Sequence, residues 1–199
     1  MVDMDPLLPD EISRYHRHIL LPEVGGHGQQ LLKAARVMVI GAGGLGSPVL
    51  QYLAAAGVGT LSIVDDDGVS LSNLQRQVIH TTAGVGTGKA ASAAEFARSL
   101  NPEIAVAVHA QAIDADNAAG LMADYDVVLD GTDNLVTRRA VAAAAQQLAR
   151  PLVSGAVSMF DGQVTVFAPG GPAFAALYPD SASDADLPSC EATGILGPL

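Results

Sequence analysis

The sextet Gly41-Ala42-Gly43-Gly44-Leu45-Gly46 constrains this chain more than any other segment. It follows a short apolar, β-branched run at 37–40 and opens a helical pattern over Gly46–Ala56 that stops at Gly57. Glycines between a strand and a helix let the backbone turn sharply and approach a phosphate closely. The free N–H groups at the start of the helix then turn partial positive charge toward the anion.

From there strand and helix signals alternate. Thr60–Val64 reads as a second strand, closed by Asp65-Asp66-Asp67, and Lys89–Leu100 as an alanine-rich helix ended by Asn101-Pro102. Residues 104–108 read as a third strand, 114–122 as a helix capped by Asp114, and 126–129 as a fourth strand. A second alanine-rich helix spans 134–148, and further strands fall at 152–153 and 163–167. The short link at 159–162 suggests a local antiparallel addition. This spacing predicts an α/β fold: a doubly wound, Rossmann-like, mostly parallel sheet with helices on both faces. Residues 1–35 form an expected helical preface, with the helical signal over 11–33, and 36–168 the nucleotide-binding domain. Residues 169–199, rich in Pro, Gly, Ser and Asp, are expected to be an irregular crossover or tail.

Charge narrows the partners. Lys plus Arg is 10 and Asp plus Glu is 21, so the net charge is 10 − 21 = −11. That sign argues against nucleic acid and against an anionic membrane surface as partners. The acidic start, MVDMDPLLPDEIS, lacks the basic region of a signal peptide, and no apolar run reaches the roughly 18 residues of a membrane span. A cytoplasmic location is expected. With Cys190 as its one cysteine, the chain can form neither an internal disulfide nor a cysteine-built zinc cage.

The glycine motif with Asp65, placed where an acidic side chain reaches a ribose hydroxyl, suits a nicotinamide dinucleotide as well as ATP. Ser72-Asn73-Leu74-Gln75-Arg76-Gln77 and Lys89 favour the second reading. A triphosphate needs cations at its oxygens, and a nicotinamide cofactor does not need them here. Asp130-Gly131-Thr132-Asp133-Asn134 ends the fourth strand, on the edge where open α/β sheets bind ligands. A carboxylate there can hold Mg²⁺ against phosphates; the plainer reading is an N-cap for the next helix. The scattered histidines His16, His18, His27, His80 and His109 read as surface or interface residues and not as metal ligands.

Taken together, Arg14-Tyr15-His16-Arg17-His18-Ile19-Leu20-Leu21, the glycine motif, Asp65-Asp66-Asp67, the Ser72 to Gln77 motif, Lys89, Thr132-Asp133-Asn134 and Ser189-Cys190-Glu191-Ala192-Thr193-Gly194 resemble the MoeB/ThiF adenylyltransferases. These are relatives of the ubiquitin-activating enzymes. The resemblance runs from about Arg14 to the end of the chain. It implies MgATP-dependent adenylation of the C-terminal glycine carboxylate of a small ubiquitin-like sulfur carrier of the MoaD or ThiS kind. It implies Gly44 at the phosphates with Asn73, Arg76 and Lys89, Asp65 at the ribose, Asp133 at Mg²⁺, and Arg17 reaching the ATP of a neighbouring subunit in a homodimer. Gly41, Gly43, Gly46, Asp67, Ser72 and Asn134 complete the expected nucleotide-binding set. Cys190 stands where the family has a cysteine implicated in sulfur transfer or a thioester-like step.

The chain departs from the family at its zinc site. Many members hold zinc with two CxxC pairs; Ala173 and Ala176 stand where the first pair would be, and alanine offers no lone pair. No zinc is expected. The second pair would lie beyond Leu199, so the chain is expected to be a fragment or a divergent member. Two other readings stay open at this point: a nicotinamide-dependent oxidoreductase, and a nucleotide-binding scaffold without turnover.

Overall fold

A computed structural model describes residues 5–179, 181–182 and 194–197. Three short helices come first, α1 (Pro9–Arg14), α2 (His16–Ile19) and α3 (Gly25–Ala34). They lead into β1 (Arg36–Ile40), α4 (Gly46–Ala56), β2 (Thr60–Val64), α5 (Lys89–Leu100), β3 (Ala105–His109) and α6 (Ala118–Met122). The chain continues through β4 (Val127–Asp130), α7 (Leu135–Gln147), β5 (Leu152–Ser158) and β6 (Asp161–Phe167). Among the described residues, no helix is long and apolar enough to cross a membrane.

The six strands form one sheet in the order β3-β2-β1-β4-β5-β6, parallel throughout except for the antiparallel β6. This is the doubly wound α/β sheet that the alternating pattern predicts. Its centre is buried from both sides, which is why β1 reads as a continuous apolar run. Val37, Val39, Leu61 and Ile63 face α4 and α5, whereas Met38, Ile40, Val64 and Val128 face α6 and α7. Ala90, Ala93, Ala94 and Ala97 all lie on the buried side of α5. Their i, i+3, i+4, i+7 spacing makes one small-residue stripe.

The preface consists of the three short helices α1, α2 and α3. Pro22 falls in the break between α2 and α3, and Gly25, at φ +59°, opens α3. Polar pins attach it to the sheet domain. The buried Asn101 donates to the Tyr15 hydroxyl at 2.8 Å and to the Ala54 carbonyl at 2.7 Å. The buried Gln29 amide donates to the Ala56 carbonyl at 2.8 Å. All three contacts fall at the C-terminal end of α4.

Two elements differ in extent from their sequence reading. The helix expected over 114–122 starts only at Ala118, because Asp114 Oδ1 accepts from the N–H groups of Asp116 and Asn117 and holds an Asx-type turn there. β5 runs on to Ser158 and β6 starts at Asp161, so the link is only Met159-Phe160, with Met159 at φ +51°. Gly155, Ala156 and Ser158 weaken the apolar signal of β5, which is why its outer half reads as loop.

Candidate functional site

β1 and β4 are neighbours in the sheet, yet α4 and α7 leave them toward opposite faces. A crevice therefore opens beyond their carboxyl ends. It holds a cavity of about 810 Å³, a size suited to a nucleotide. Gly41 takes a φ of +91°, and a Cβ there would lie 3.1 Å from the Gly131 carbonyl oxygen, so the loops after β1 and β4 pass in contact. At Gly46 a Cβ would overlap the Gly41 carbonyl. Only glycine lets α4 begin that close to the strand, with its N-terminus at the cavity.

Asp65, just past β2, braces the glycine loop. Its Oδ2 accepts from the Ala42 N–H at 2.7 Å and its Oδ1 from the Asp67 N–H at 2.9 Å. Burial pushes its carboxyl above the ordinary aspartate range, against the pull of these two hydrogen bonds and of the Lys89 charge. Lys89 opens α5 with a buried stem, its Nζ 2.7 Å from Asp67 Oδ2. Arg76 donates from Nη1 to the Ser72 carbonyl at 3.2 Å, and its stem lies over Gly44.

The loop after β4 carries two aspartates in different states. Asp130 is buried and accepts from Thr132 N at 3.0 Å, Thr132 Oγ1 at 2.7 Å and Ser154 Oγ at 2.8 Å. Asp133 is exposed on the cavity wall, and among the described residues no hydrogen bond or ion pair engages its carboxylate. Asn134 lines the cavity and caps α7, its Oδ1 accepting from Thr137 N at 2.8 Å. The plain N-cap reading of this motif therefore holds for Asn134 and leaves Asp133 free for a ligand.

Of the residues singled out in the sequence, Gly41, Gly43, Gly44, Asp65, Asp67, Asn73, Arg76, Lys89, Asp133 and Asn134 all line this one cavity. Gly46 and Ser72 are not among its lining residues. Arg17 is exposed on α2, beside the pins at the far end of α4. Arg17 is not among the residues that line the cavity of its own chain. Cys190 lies outside the described residues.

Sequence reasoning missed Arg138. It is buried, and its guanidinium donates to the Thr132 carbonyl, to the Gly155 carbonyl at 2.8 Å and to Ser154 Oγ at 3.4 Å. It ties the Asp133 loop to β5. Its position one turn after Asn134 was the available signal. His80 is a correction: it is buried at 6 % exposure, not a surface or interface residue. It lies under the glycine loop, with Nε2 2.9 Å from the Ala42 carbonyl and Nδ1 2.9 Å from Ser92 Oγ. Among the described residues no three His, Cys, Asp or Glu side chains gather to hold a metal ion. A cation in this cavity would take its other ligands from phosphate and water, the usual arrangement for Mg²⁺.

Comparison with known proteins shows the family. Residues 15–199 match the ThiF family model. The chain is 49% identical over 193 residues to the probable adenylyltransferase/sulfurtransferase MoeZ of Mycobacterium tuberculosis, covering 94% of this chain and 49% of that protein. It is 45% identical over 196 residues to the sulfur carrier protein adenylyltransferase of Thermus thermophilus, covering 96% of this chain and 72% of that protein. Among solved structures, the E. coli tRNA N6-threonylcarbamoyladenosine dehydratase TcdA in complex with ATP aligns with a TM-score of 0.72 at 30% identity. That alignment covers 77% of this chain and 63% of TcdA. The chain thus spans about half the length of MoeZ and under two thirds of TcdA.

Proposed function

The chain belongs to the ThiF family, and on that premise we propose that it transfers AMP from ATP to the C-terminal glycine carboxylate of a small ubiquitin-like sulfur-carrier protein. The observation that carries this reading is the meeting of Arg76, Lys89 and Asp133 with the glycine loop in one cavity. The two closely related proteins named adenylyltransferases support it.

In the reaction a carboxylate oxygen attacks the α-phosphorus. A new P–O bond forms, the bond to the β-phosphate oxygen breaks, and pyrophosphate leaves with its electrons. The carboxylate is ionised at neutral pH, so no general base is required. The barrier lies in bringing one anion to another and in letting a third depart. Lys89 and Arg76 answer with positive charge at the phosphate oxygens, and the α4 N-terminus with backbone N–H groups. Asp65 accepts from the ribose hydroxyls, with its two oxygens already oriented by the loop. Gly41, Gly43, Gly44 and Gly46 form the cradle, and Asp67, Ser72, Asn73 and Asn134 its rim. Asp133 holds Mg²⁺, which neutralises phosphate charge when bound.

Arg17 completes the site of a neighbouring subunit in a homodimer. Its exposure and its absence from the lining of its own cavity support a role in trans. Cys190 acts after adenylation, in acyl or sulfur transfer. No zinc is assigned to the chain, since Ala173 and Ala176 carry no ligand atoms.

ATP–pyrophosphate exchange tests the reading. Exchange should require the carrier with its terminal glycine, and MgATP, not NAD, should raise the melting temperature. Stabilisation by NAD without exchange would favour an oxidoreductase. Stabilisation by ATP with no exchange on any carrier would favour a scaffold.

A further inference from the structure

We infer that His80 is a positioning residue for the phosphate loop: by donating from Nε2 to the Ala42 carbonyl, it turns the peptide between Ala42 and Gly43 so that the Gly43 N–H faces the cavity. The inference rests on the reading of this cavity as an ATP site.

The geometry dictates the ring's proton. A carbonyl oxygen only accepts, so the Nε2 that lies 2.9 Å from Ala42 O carries hydrogen. In the neutral ring Nδ1 is then bare and accepts from Ser92 Oγ, 2.9 Å away. Burial lowers the pKa of the ring and favours that neutral form. One tautomer satisfies both contacts.

The consequence for the loop follows from peptide planarity. No peptide bond among the described residues is cis, so the Ala42 C=O and the Gly43 N–H of the same unit point in opposite directions. Drawing the carbonyl down to His80 sends the N–H up, toward the cavity that Gly43 lines. Reversal of that unit would put a carbonyl oxygen against phosphate instead. Glycine at 43 has no side chain to oppose the reversal, so the restraint comes from outside the loop. Asp65 holds the N–H of Ala42 and His80 holds its C=O, gripping this residue at both ends. Ser92 lies one turn beyond Lys89 on α5, so the imidazole also ties the loop to the helix that carries the lysine.

Two amide variants of the full chain separate this role from simple packing. The side-chain nitrogen of His80→Gln falls near Nε2 and can still reach Ala42, whereas that of His80→Asn falls near Nδ1 and cannot. Calorimetric titration with ATP is expected to place the glutamine variant within about threefold of the parent and the asparagine variant about tenfold weaker. In pyrophosphate exchange the loss should appear in KM for ATP more than in kcat. Ring nitrogen shifts of the ¹⁵N-labelled parent should report the Nε2–H tautomer, a measurement independent of any variant's folding. Equal affinity in the two variants, or an Nδ1–H ring in the parent, overturns the inference while leaving the ATP reading intact. A parent that binds no ATP, whatever its tautomer, overturns the ATP reading and this inference with it.

Discussion

Lys89 and Asp67 form an ion pair of unequal burial: Nζ lies 2.7 Å from Oδ2, yet the lysine side chain is 9% exposed and the aspartate 68%. A second link, from Lys89 N to the Asp67 carbonyl at 2.8 Å, fixes the start of α5 against the β2 loop. The lysine is held ready at the cavity wall, with its partner open to solvent.

Lys89→Ala should therefore separate activity from stability. Pyrophosphate exchange is expected to fall by about a hundredfold or more, because a cation at the reacting phosphates is lost. The remaining aspartate is well hydrated, so unfolding free energy should change by only about 1 kcal/mol. Exchange within threefold of the parent would remove Lys89 from the phosphate site.

The two aspartates after β4 should respond in opposite ways. Asp133→Ala is expected to reduce exchange about a hundredfold and to abolish the Mg²⁺ dependence of ATP binding, with a melting temperature close to that of the parent. Asp130→Ala strips the acceptor from three hydrogen bonds, two of them to Thr132, and should lower stability by about 2–3 kcal/mol in urea unfolding. Near-equal destabilisation by the two variants would mean that the division of labour is wrong.

Acid should weaken ATP binding before it unfolds the site around Asp65. Burial raises the pKa of this carboxyl above the ordinary aspartate value of 3.8. A group with a raised folded pKa adds stability below its unfolded value, and that stability is lost as pH rises through the folded value. Asp65 is thus no cause of acid unfolding, while its protonation on acidification removes an acceptor from the ribose. Relative to Asp65→Asn, the parent should bind ATP about tenfold more tightly at neutral pH. That advantage should shrink as pH falls toward the raised value, and a ratio constant with pH would contradict this account.

Arg17 gives a mixing experiment. Arg17→Ala and Lys89→Ala should each be inactive alone, and their mixture should recover part of the parental exchange, since one site in a mixed dimer keeps both cations. Sedimentation should show a dimer at micromolar concentration. An active monomer would sink the proposal.

Cys190→Ala should leave pyrophosphate exchange near the parental rate, because adenylation consumes no thiol. Transfer from the adenylated carrier should fail in the same variant. Collapse of exchange would place the thiol in the adenylation site; unimpaired transfer would make it a packing residue.

Local signals were the legible ones. The bounds of α4 and α5 follow directly from the glycines and the alanine stripe, and the cavity-lining residues sit at strand ends, where short motifs stand out. What stayed hidden depends on contacts between distant segments. Nothing beside His80 in sequence announces that Ala42 and Ser92 close over it. Arg138 is defined in part by a carbonyl on β5, and the burial of Asp130 is completed by Ser154 on that same strand. The preface reads as helical, and its division into α1, α2 and α3 emerges only in the fold.

The adjacency of β1 and β4 also sets when this chain can first become competent. Ile40 pairs with Asp130 in the sheet, and Gly131 donates to the Ile40 carbonyl at 2.9 Å, yet the whole α4–β2–α5–β3–α6 excursion is synthesised between them. Arg138, which locks the second loop, in turn needs Gly155. A nascent chain emerging at about 5–20 residues per second therefore carries its glycine loop for several seconds with no opposite wall.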